Sequence, residues 1–478
     1  MQPIAANPAK PPPAAAGIYG AIARALAPRP ALTVSEWADQ ERRLSSKGSA
    51  MAGQWVTAAN PPLREPMDCM SVQSNVREVV MMFPVQFGKA LALDTPIPTP
   101  EGWTTMGAIQ MGDTVFGADG QPVTVVAASE VFADHPCYRL TFSDGAQIVA
   151  DAGHRWTVVD LETRNEHRKE IKRRAALTGR QRTRTIVPQA SNAAHTATLE
   201  TRSMAETHRS GGKQSRYAVE VAAPIDAPIA DLPIDPYLLG LWLGDGHTHM
   251  AAITTMDAEI VGAFADFTPT PHKHQNSGLA TTYGLRGFQS KLSAAGVLKN
   301  KHIPPAYLRA SSSQRLALLQ GLMDTDGHAG QRGVAEITSS KPALSDGIAE
   351  LLRTLGFRPT VTWRATKCKP SARITFPAHA GCGIFRLSRK ADAMLKGPSA
   401  RAADAVSMRY ITNIEQVPAV ATRCIAVDNA SHLFLCGREF IPTHNTEAAI
   451  NTLGYVMAHD PGPVMVCLPG EVSMNKWV

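Results

Sequence analysis

Short β segments at both ends of residues 90–445 enclose a long block of different character. Residues 90–159 hold segments such as CYRLTFSDGAQIVA and HRWTVV, separated by Asp-Gly turns, and the pattern returns at residues 418–445 in CIAVDNASHLFLCGREFIP. Residues 160–225 are polar and basic, and residues 235–395 mix helical and strand patterns. Short apolar runs bounded by turn residues predict strands. The economical interpretation is one β domain that is split by a second domain.

The end of this region carries residues that could break the chain. An asparagine side-chain amide can attack its own backbone carbonyl, which cleaves the following peptide bond, and a neighbouring histidine can move the protons. A hydroxyl directly downstream can hold a migrating acyl group. His444, Asn445 and Thr446 supply these groups in order. A His-Asn-Thr tripeptide alone is more often an ordinary loop.

Residues farther upstream give this ending more weight. His154 and Trp156 follow a β segment, and Cys424 lies in a short β pattern just before Asn445. Together with LALDTPIPTPEGWTTMGAIQMGD at the start and HLFLCGREFIPTHNT at the end, these residues resemble inteins over residues 90–445. The resemblance implies a self-excising, all-β Hint splicing domain that needs no cofactor.

The first residue of the insert departs from the common pattern. Most inteins begin with Cys or Ser, whereas this one begins with Ala90, which has no nucleophile. An intein inactivated by mutation is one interpretation. The other, which we favour, is a resemblance to class 3 inteins, which dispense with that nucleophile and carry a Trp-Cys-Thr triplet. Trp156, Cys424 and Thr446 fall on the three positions.

The resemblance implies a sequence of acyl transfers. The thiolate of Cys424 attacks the carbonyl of Lys89 and forms a branched thioester. Thr446 then takes the acyl group as an ester, and Asn445 cyclises with the help of His444. The ester finally rearranges to an amide, so Lys89 is joined to Thr446.

Three further residues lie at motif positions of the resemblance. His154 is expected to strain or protonate the Lys89–Ala90 amide. Trp156 either packs near Cys424 and positions it or simply fills the core. Asp151 stands where other inteins usually have Thr, and its role is open.

Two segments inside the block share one pattern. LLGLWLGDG (238–246) and LQGLMDTDG (319–327) each predict an apolar helix that ends in Asp-Gly, with small residues four apart on one face. Small residues at this spacing let two helices approach closely. A carboxylate at a helix C-terminus is disfavoured by the macrodipole. A cation between Asp245 and Asp326 would explain why a carboxylate lies at each helix end. Mg²⁺ suits such hard ligands and can assist phosphodiester cleavage.

The paired motifs resemble the LAGLIDADG (DOD-type) homing endonucleases over about residues 231–400. The resemblance implies an α+β nuclease whose partner is double-stranded DNA, namely the intein-free host gene. Lys301 falls in a KxIP-like segment and is either a lysine of the catalytic site or a plain surface lysine. Residues 164–184 hold nine basic residues and two acids, either a solvated face or a surface for DNA phosphates.

The sequences on either side of the insert predict a nucleotide-binding loop once they are joined. Gln86-Phe87-Gly88-Lys89-Thr446 reads as the second half of a phosphate-binding loop, although Phe83 replaces its usual first glycine. The segments 32–89 and 446–478 resemble the large terminase subunit of tailed phages. This implies pieces of a P-loop α/β ATPase whose Gly88, Lys89 and Thr446 would bind ATP and Mg²⁺ only after splicing. A complete host would bind phage DNA and capsid or terminase partners, whereas the joined fragment is not expected to be a working motor.

Bulk properties add a few limits. Seven cysteines without a CxxC pair, the lack of a ~20-residue apolar run and the lack of a secretory signal predict a cytoplasmic protein without a membrane span. Two rival functions stay open: an ATPase fragment that carries an inactive intein, and a nuclease that never splices. The expected domains are the host segment 1–89, the splicing domain 90–230 and 401–445, the endonuclease 231–400, and the host segment 446–478.

Overall fold

The structure is a computed structural model. The residues it describes are 32–44, 53–59, 64–71, 73–76, 90–166, 169, 173, 196–208, 215–272, 280–330, 333–366, 369–378, 382–395, 408–429 and 431–444. The predicted site residues Gly88, Lys89, Asn445 and Thr446, and most of the basic run 164–184, lie outside these ranges. Contacts divide the chain into two compact units, Met1–Met82 with Glu447–Val478, and Phe83–Thr446. In the described part, no helix is long and apolar enough to cross a membrane.

The described part of the first unit is small. Its elements are α1 (Val34–Glu41), β1 (Arg43–Leu44), β2 (Gly53–Gln54) and α2 (Arg64–Cys69), with a 3₁₀ turn at Thr57–Ala59. The helix α1 begins with a capping box, in which Thr33 and Glu36 satisfy each other's backbone N–H. Its buried Val34 and Ala38 pack in one cluster with Met67.

In the described part of the second unit, ten strands and the helix α3 come first, and residues 161–166 are also helical. The ten strands and α3 are β3 (Leu91–Ala92), β4 (Pro96–Thr99), β5 (Gly102–Thr105), β6 (Thr114–Phe116), β7 (Pro122–Ala128), β8 (Cys137–Phe142), β9 (Gln147–Asp151), β10 (Arg155–Asp160), β11 (Ala197–Glu200), α3 (Thr201–Thr207) and β12 (Tyr217–Glu220).

Helices and strands then alternate irregularly. They are α4 (Pro236–Asp245), β13 (Ala252–Thr255), α5 (Ala258–Ala263), a 3₁₀ turn (Ala265–Phe267), β14 (Thr270–Pro271), β15 (Thr281–Gly284), α6 (Phe288–Ala294), α7 (Pro305–Leu308), α8 (Ser312–Thr325), β16 (Gly327–Ala329), β17 (Val334–Ser339), α9 (Pro342–Thr354), β18 (Thr360–Arg364), β19 (Ser371–Pro377) and α10 (Ser388–Leu395). Five strands complete the unit: β20 (Met408–Val417), β21 (Thr422–Arg423), β22 (Ile425–Val427), β23 (Leu433–Cys436) and β24 (Ile441–His444).

Strands from both ends of the insert form one β domain. Its largest sheet has the order β11-β10-β12-β20-β8-β9-β3-β21, so β20 and β21 from the C-terminal part pair with strands from the N-terminal part. Small sheets such as β22-β7-β6 and β23-β24 complete it. Apolar residues that lie between Leu91 and Val219 or between Ile411 and Ile441 share one core. This sharing confirms the predicted split of an all-β domain.

The intervening residues form an inserted domain with a core of its own. Buried apolar side chains from Ile234 to Met394 make one cluster. Helices α4 and α8 pack against each other, and two antiparallel sheets accompany them, β13-β15-β14 and β16-β17-β19-β18. This mixture is the predicted α+β architecture.

One part of the β domain was not recognised in the sequence. The segment 160–225 reads as polar and basic, yet β11, α3 and β12 lie within it. Strand β11 is an edge of the large sheet, and β12 joins β10 to β20. Tyr217, Ala218 and Val219 are all buried. The short apolar run around them is diluted by the charged residues before it, so composition over the whole segment hides the strands.

Candidate functional site

Ala90, the first residue of the insert, is fully buried at the start of a central strand. Strand β3 lies between β9 and β21, and Leu91 pairs with Ala150 of β9. The next pair in this register is Ala90 and Asp151, and the backbone N–H of Asp151 donates to the carbonyl oxygen of Ala90 at 2.9 Å. The amide nitrogen of Ala90 in turn donates to Oδ2 of Asp151 at 3.0 Å.

Cys424 lies on the other side of the same strand. Arg423 of β21 pairs with Leu91, and partners in antiparallel strands run in opposite directions. Extending this register by one residue brings Cys424 opposite Ala90. Ser129 holds the cysteine backbone, because its Oγ accepts from the N–H of Cys424 at 3.0 Å and its N–H donates to the carbonyl at 2.9 Å.

His154 directly precedes β10 and Trp156 lies within it, and we call these two side chains with their hydrogen-bond partners the wall. Their rings meet edge to face with centroids 5.0 Å apart, and both side chains are almost completely buried. Nε2 of His154 shares a short hydrogen bond with Oγ1 of Thr443. Nε1 of Trp156 donates to Oγ1 of Thr201 at 3.0 Å, and that hydroxyl donates to the carbonyl of His154 at 2.9 Å. Direct positioning of Cys424 by Trp156 stays a prediction.

Two threonines of this wall were not found from the sequence. Thr201 begins α3 inside the polar segment, and Thr443 lies two residues before Asn445. Thr443 is buried in β24, so its bond to His154 ties the C-terminal end of the insert to the wall beside Ala90. No local pattern distinguishes such a threonine, because only its pairing across the sheet gives it a partner.

The C-terminal junction is described up to His444. This residue ends β24 and pairs with Leu433 of β23, and its ring centroid lies 6.2 Å from that of His432. Asn445 and Thr446 lie beyond the described residues, so their predicted roles carry over to the proposal below.

The second candidate site lies where α4 and α8 end in the inserted domain. The helices touch through backbone: a Cβ added to Gly240 would come within 3.0 Å of Cα of Gly321, and one added to Gly321 within 2.7 Å of the amide nitrogen of Leu241. A Cβ on Gly244 would meet the side chain of Thr325. The predicted close approach of the two small-residue faces is therefore present.

This packing places two carboxylates side by side at the helix ends. Asp245 is the last residue of α4, and Asp326 is the C-cap of α8. Burial, and then repulsion from Asp326, raises the pKa of Asp245 to about 6. Burial also raises the pKa of Asp326, against the attraction of two nearby lysines. The site thus concentrates negative charge that a cation would offset.

Two lysines neutralise the ends of the two helices. Nζ of Lys301 donates to the carbonyls of Leu243 and Gly244 at 2.9 and 3.0 Å. Nζ of Lys390 makes the equivalent contacts at the end of α8, at 2.8–2.9 Å from the carbonyls of Met323, Asp324, Thr325 and Gly327. Burial, and then the charge of Lys341, lowers the pKa of Lys301 to about 8. Burial likewise lowers the pKa of Lys390.

These contacts bear on one of the two interpretations of Lys301, whereas its role in the catalytic site stays a prediction. Only 5% of the residue is exposed, so it is not a plain surface lysine. Lys390 was not found from the sequence, although the paired motifs gave a reason to look for a second lysine.

The donor set suits a divalent metal ion. Oxygen ligands favour hard cations such as Mg²⁺ and Ca²⁺, and the two aspartates bring such oxygens together where burial and mutual repulsion disfavour two bare charges. A divalent metal ion therefore fits the carboxylates of Asp245 and Asp326.

Comparisons with known families match two stretches of this chain. The phage terminase large subunit gpA ATPase-domain family matches residues 49–97, and the LAGLIDADG-like domain family matches residues 313–374. The replicative DNA helicase DnaB of Mycobacterium intracellulare is 38% identical over 370 residues, which cover 77% of this chain and 60% of the helicase. DnaB of Mycobacterium leprae (strain TN) is 59% identical over 69 residues, 14% of this chain and 11% of that one. The chain thus spans about 60% of the length of the longer-matching relative.

Solved structures give weaker likenesses. The MchDnaB-1 intein is 18% identical, with a TM-score of 0.25, and the match covers 74% of this chain and all of that one. I-DmoI in complex with DNA and Mn is 15% identical, with a TM-score of 0.24, over 30% of this chain and 89% of that one. At these scores neither likeness carries the argument, which stands on the sequence matches and the two sites.

The fold and the sites define a splicing-type β domain that holds an endonuclease-type domain between its two halves. The chain resembles inteins that hold a LAGLIDADG domain, and its residues 313–374 and 49–97 match a LAGLIDADG-like domain family and a terminase ATPase family.

Proposed function

We propose that this chain excises residues 90–445 and joins Lys89 to Thr446. The observation that supports the proposal is the pairing of Arg423 with Leu91 in neighbouring antiparallel strands, because one further step of this register sets Cys424 opposite Ala90. A thiol at this place can reach the carbonyl that precedes Ala90, and it can replace the nucleophile that alanine lacks.

The steps follow from the residues at the two junctions. The thiolate of Cys424 attacks the Lys89 carbonyl and forms a branched thioester. The hydroxyl of Thr446 then takes the acyl group. Asn445 cyclises with the help of His444 and releases the insert, and the ester rearranges to the more stable amide. His154, bonded to Thr443, links the two junctions, and Trp156 shapes the wall beside them.

A decayed intein is the weaker alternative. Ser129 fixes the backbone of Cys424 on both sides, and Trp156 keeps its hydrogen bond to Thr201. Loss of function by drift gives no reason to keep a Trp-Cys-Thr triplet together with these contacts.

The inserted domain is proposed to cut double-stranded DNA. Asp245 and Asp326 would hold Mg²⁺, which supplies charge stabilisation and an activated water when it is bound. Lys301 and Lys390 hold the two helix ends in place and bring positive charge to the scissile phosphate. The proposed target is the intein-free host gene, because the insertion itself splits that site. Cutting of genomic DNA is consistent with a cytoplasmic location.

The relatives support an insert that is independent of its host. The long match is to a helicase, and its 370 residues are close to the length of the insert, whereas residues 49–97, most of which precede the insert, match a terminase ATPase family. A binding loop made of Gly88, Lys89 and Thr446 would hold ATP and Mg²⁺ only in a complete spliced host. Phage DNA and capsid or terminase partners belong to that host.

Intact mass measurement after expression of the whole chain tests the proposal. The expected products are the excised insert and residues 1–89 joined to 446–478. In the Asn445→Ala variant, the branched species should form but the insert should not be released. Intact precursor after long incubation of the unaltered chain would refute splicing and leave the nuclease or the ATPase fragment. Normal release from Asn445→Ala would refute the cyclisation step.

A further inference from the structure

The buried carboxyl group of Asp151 lies against the nitrogen that must leave in the first step. Oδ2 accepts a hydrogen bond from the Ala90 amide nitrogen at 3.0 Å, and only 1% of Asp151 is exposed. This nitrogen belongs to the Lys89–Ala90 bond that the first step breaks. An amine is a poor leaving group unless it receives a proton as the bond breaks.

The hydrogen bonds to this carboxyl group do not satisfy both of its oxygens. Among the described residues, Oδ1 of Asp151 is buried without a hydrogen-bond partner. Burial raises the pKa of Asp151, against hydrogen bonds from Ala90 and His135 that favour the charged form. Both conditions favour the protonated form. A proton on Oδ2 can reach the Ala90 nitrogen, because this oxygen lies 3.0 Å from that nitrogen and 3.4 Å from Nδ1 of His135.

His135 connects this buried acid to the surface. Its Nδ1 lies 3.4 Å from Oδ2 of Asp151, and its side chain is 36% exposed, whereas that of Asp151 is 1% exposed. The ring stacks on Phe132 with centroids 4.8 Å apart, which fixes its orientation. An imidazole at this place can pass a proton from water to the carboxyl group.

We propose that Asp151 is the general acid of the first step and that His135 returns its proton from solvent. The proposal rests on the splicing function given above. The sulfur of Cys424 bonds to the Lys89 carbonyl carbon, and its thiol proton passes to water. The bond from that carbon to the Ala90 nitrogen breaks, and its electron pair stays on nitrogen. That nitrogen takes the proton of Asp151 and becomes a free amine, and the resulting carboxylate is reprotonated through His135.

The rate of this step should depend on pH in two directions. Ionisation of Cys424 raises the rate and ionisation of Asp151 lowers it, so the pH profile should have a rising and a falling limb, and burial raises the pKa of Asp151. Three titratable described residues lie beside Asp151: His135, with Nδ1 at 3.4 Å, Cys137, its cross-strand partner on β8, and His154, whose backbone N–H donates to the Asp151 carbonyl. Tyr138 and Arg139 follow Cys137 on β8, and Cys424 follows β21 on the other side of β3.

The test measures the rate at which the branched species forms in chains that carry Asn445→Ala, so that release cannot follow. Asp151→Asn keeps a hydrogen-bond acceptor for the Ala90 N–H but cannot donate a proton as a carboxylic acid does. It should slow the step on the order of 100-fold and abolish the falling limb at high pH. Asp113→Asn is the matched control, because Asp113 is an exposed carboxylate of the same domain and its loss should leave the rate unchanged.

Each other outcome has a definite meaning. If the chain with Asp151 intact forms the branch and Asp151→Asn forms it equally fast with the same pH profile, Asp151 only holds the strand and the inference is wrong. If neither chain forms a branch, the splicing proposal itself fails. His135→Gln tests the relay without altering the buried position: it should slow the step, and an unchanged rate would remove His135 from the path. Thermal unfolding of every variant shows whether a slow rate reflects lost fold.

Discussion

At Cys424 the sequence supplies a nucleophile, and the surrounding backbone decides what it can reach. A cysteine thiolate is a strong nucleophile, but a buried thiol reacts only with a group held beside it. The two hydrogen bonds between Ser129 and the backbone of Cys424, together with the pairing of Arg423 with Leu91, fix where the cysteine lies. We attribute to this placement the ability of the chain to begin with alanine.

Removal of this thiol should stop splicing at its first step. Cys424→Ala should form neither the branched species nor the ligated product, because Ala90 offers no substitute. Intact mass measurement after prolonged incubation checks this outcome, with Cys436→Ala as a cysteine control that lies in the core of the β domain. Ligation that persists without Cys424 would show that the class 3 assignment is wrong.

Asp324 and Asp326 are two residues apart in the chain but have different surroundings. Asp324 is buried and accepts hydrogen bonds from Oη of Tyr237 at 2.9 Å and from the backbone N–H groups of Arg386 and Leu387 at 3.2 Å. Asp326, two residues later, lies at the helix end beside Asp245. The sequence DTDG offers both, and the hydrogen bonds show that the first is occupied in holding the inserted domain together.

At the scale of elements, α4 and α8 can touch because the residues at their contact are glycines, which have no side chain. Cβ atoms on Gly240 or Gly321 would press against the backbone of the facing helix, which cannot move aside as a flexible side chain can. This contact sets the separation of Asp245 and Asp326, since both lie at the ends of these helices.

Alanine at either glycine should therefore destabilise the inserted domain. We expect Gly240→Ala and Gly321→Ala to lower its free energy of unfolding by about 1–3 kcal/mol through overpacking, measured by thermal or urea unfolding. Gly262→Ala in α5 is the control, because its added Cβ meets nothing within 4 Å. It should stabilise by up to about 1 kcal/mol. Equal unfolding midpoints for all three would contradict the close-contact explanation.

At the scale of the whole insert, two cores are joined through a defined contact. Glu350 of α9 accepts hydrogen bonds from Nε1 of Trp103 in the β domain and from Nη1 of Arg309, both at 2.9 Å. Arg309 also donates to the carbonyls of Thr99 and Gly102 at 2.9 and 3.0 Å. The contact holds the domains together without drawing on the residues of either candidate site.

The two activities should accordingly be separable. Asp245→Asn and Asp326→Asn should each abolish Mg²⁺-dependent cutting, because the loss of one carboxylate leaves the metal with too little charge and too few ligands. Ligation should be unchanged, since the carboxylates belong to the other core. The measurements are plasmid cleavage and intact mass on the same preparations.

A plasmid with the joined host sequence and one with the interrupted sequence complete this experiment. Only the joined sequence should be cut, and Cys424→Ala should still cut it. Equal cutting of both plasmids, or cutting by the Asp245→Asn, Asp326→Asn double variant, would exclude the homing interpretation.

Much of this protein is determined by its sequence alone. The β-rich ends, the two apolar helices that end in Asp-Gly, and the His-Asn-Thr ending are local patterns, because a period, a turn or a neighbouring side chain decides them. These patterns were sufficient to predict the split β domain, the inserted α+β domain and the close approach of the small-residue helix faces.

The tertiary structure decided everything that depends on pairing between distant segments. It set Asp151 and Cys424 on opposite sides of Ala90, gave Thr201 and Thr443 their partners, and showed that Lys390 matches Lys301. No local pattern encodes these contacts, because strand register and helix packing follow from the burial of a shared core by residues far apart in the chain.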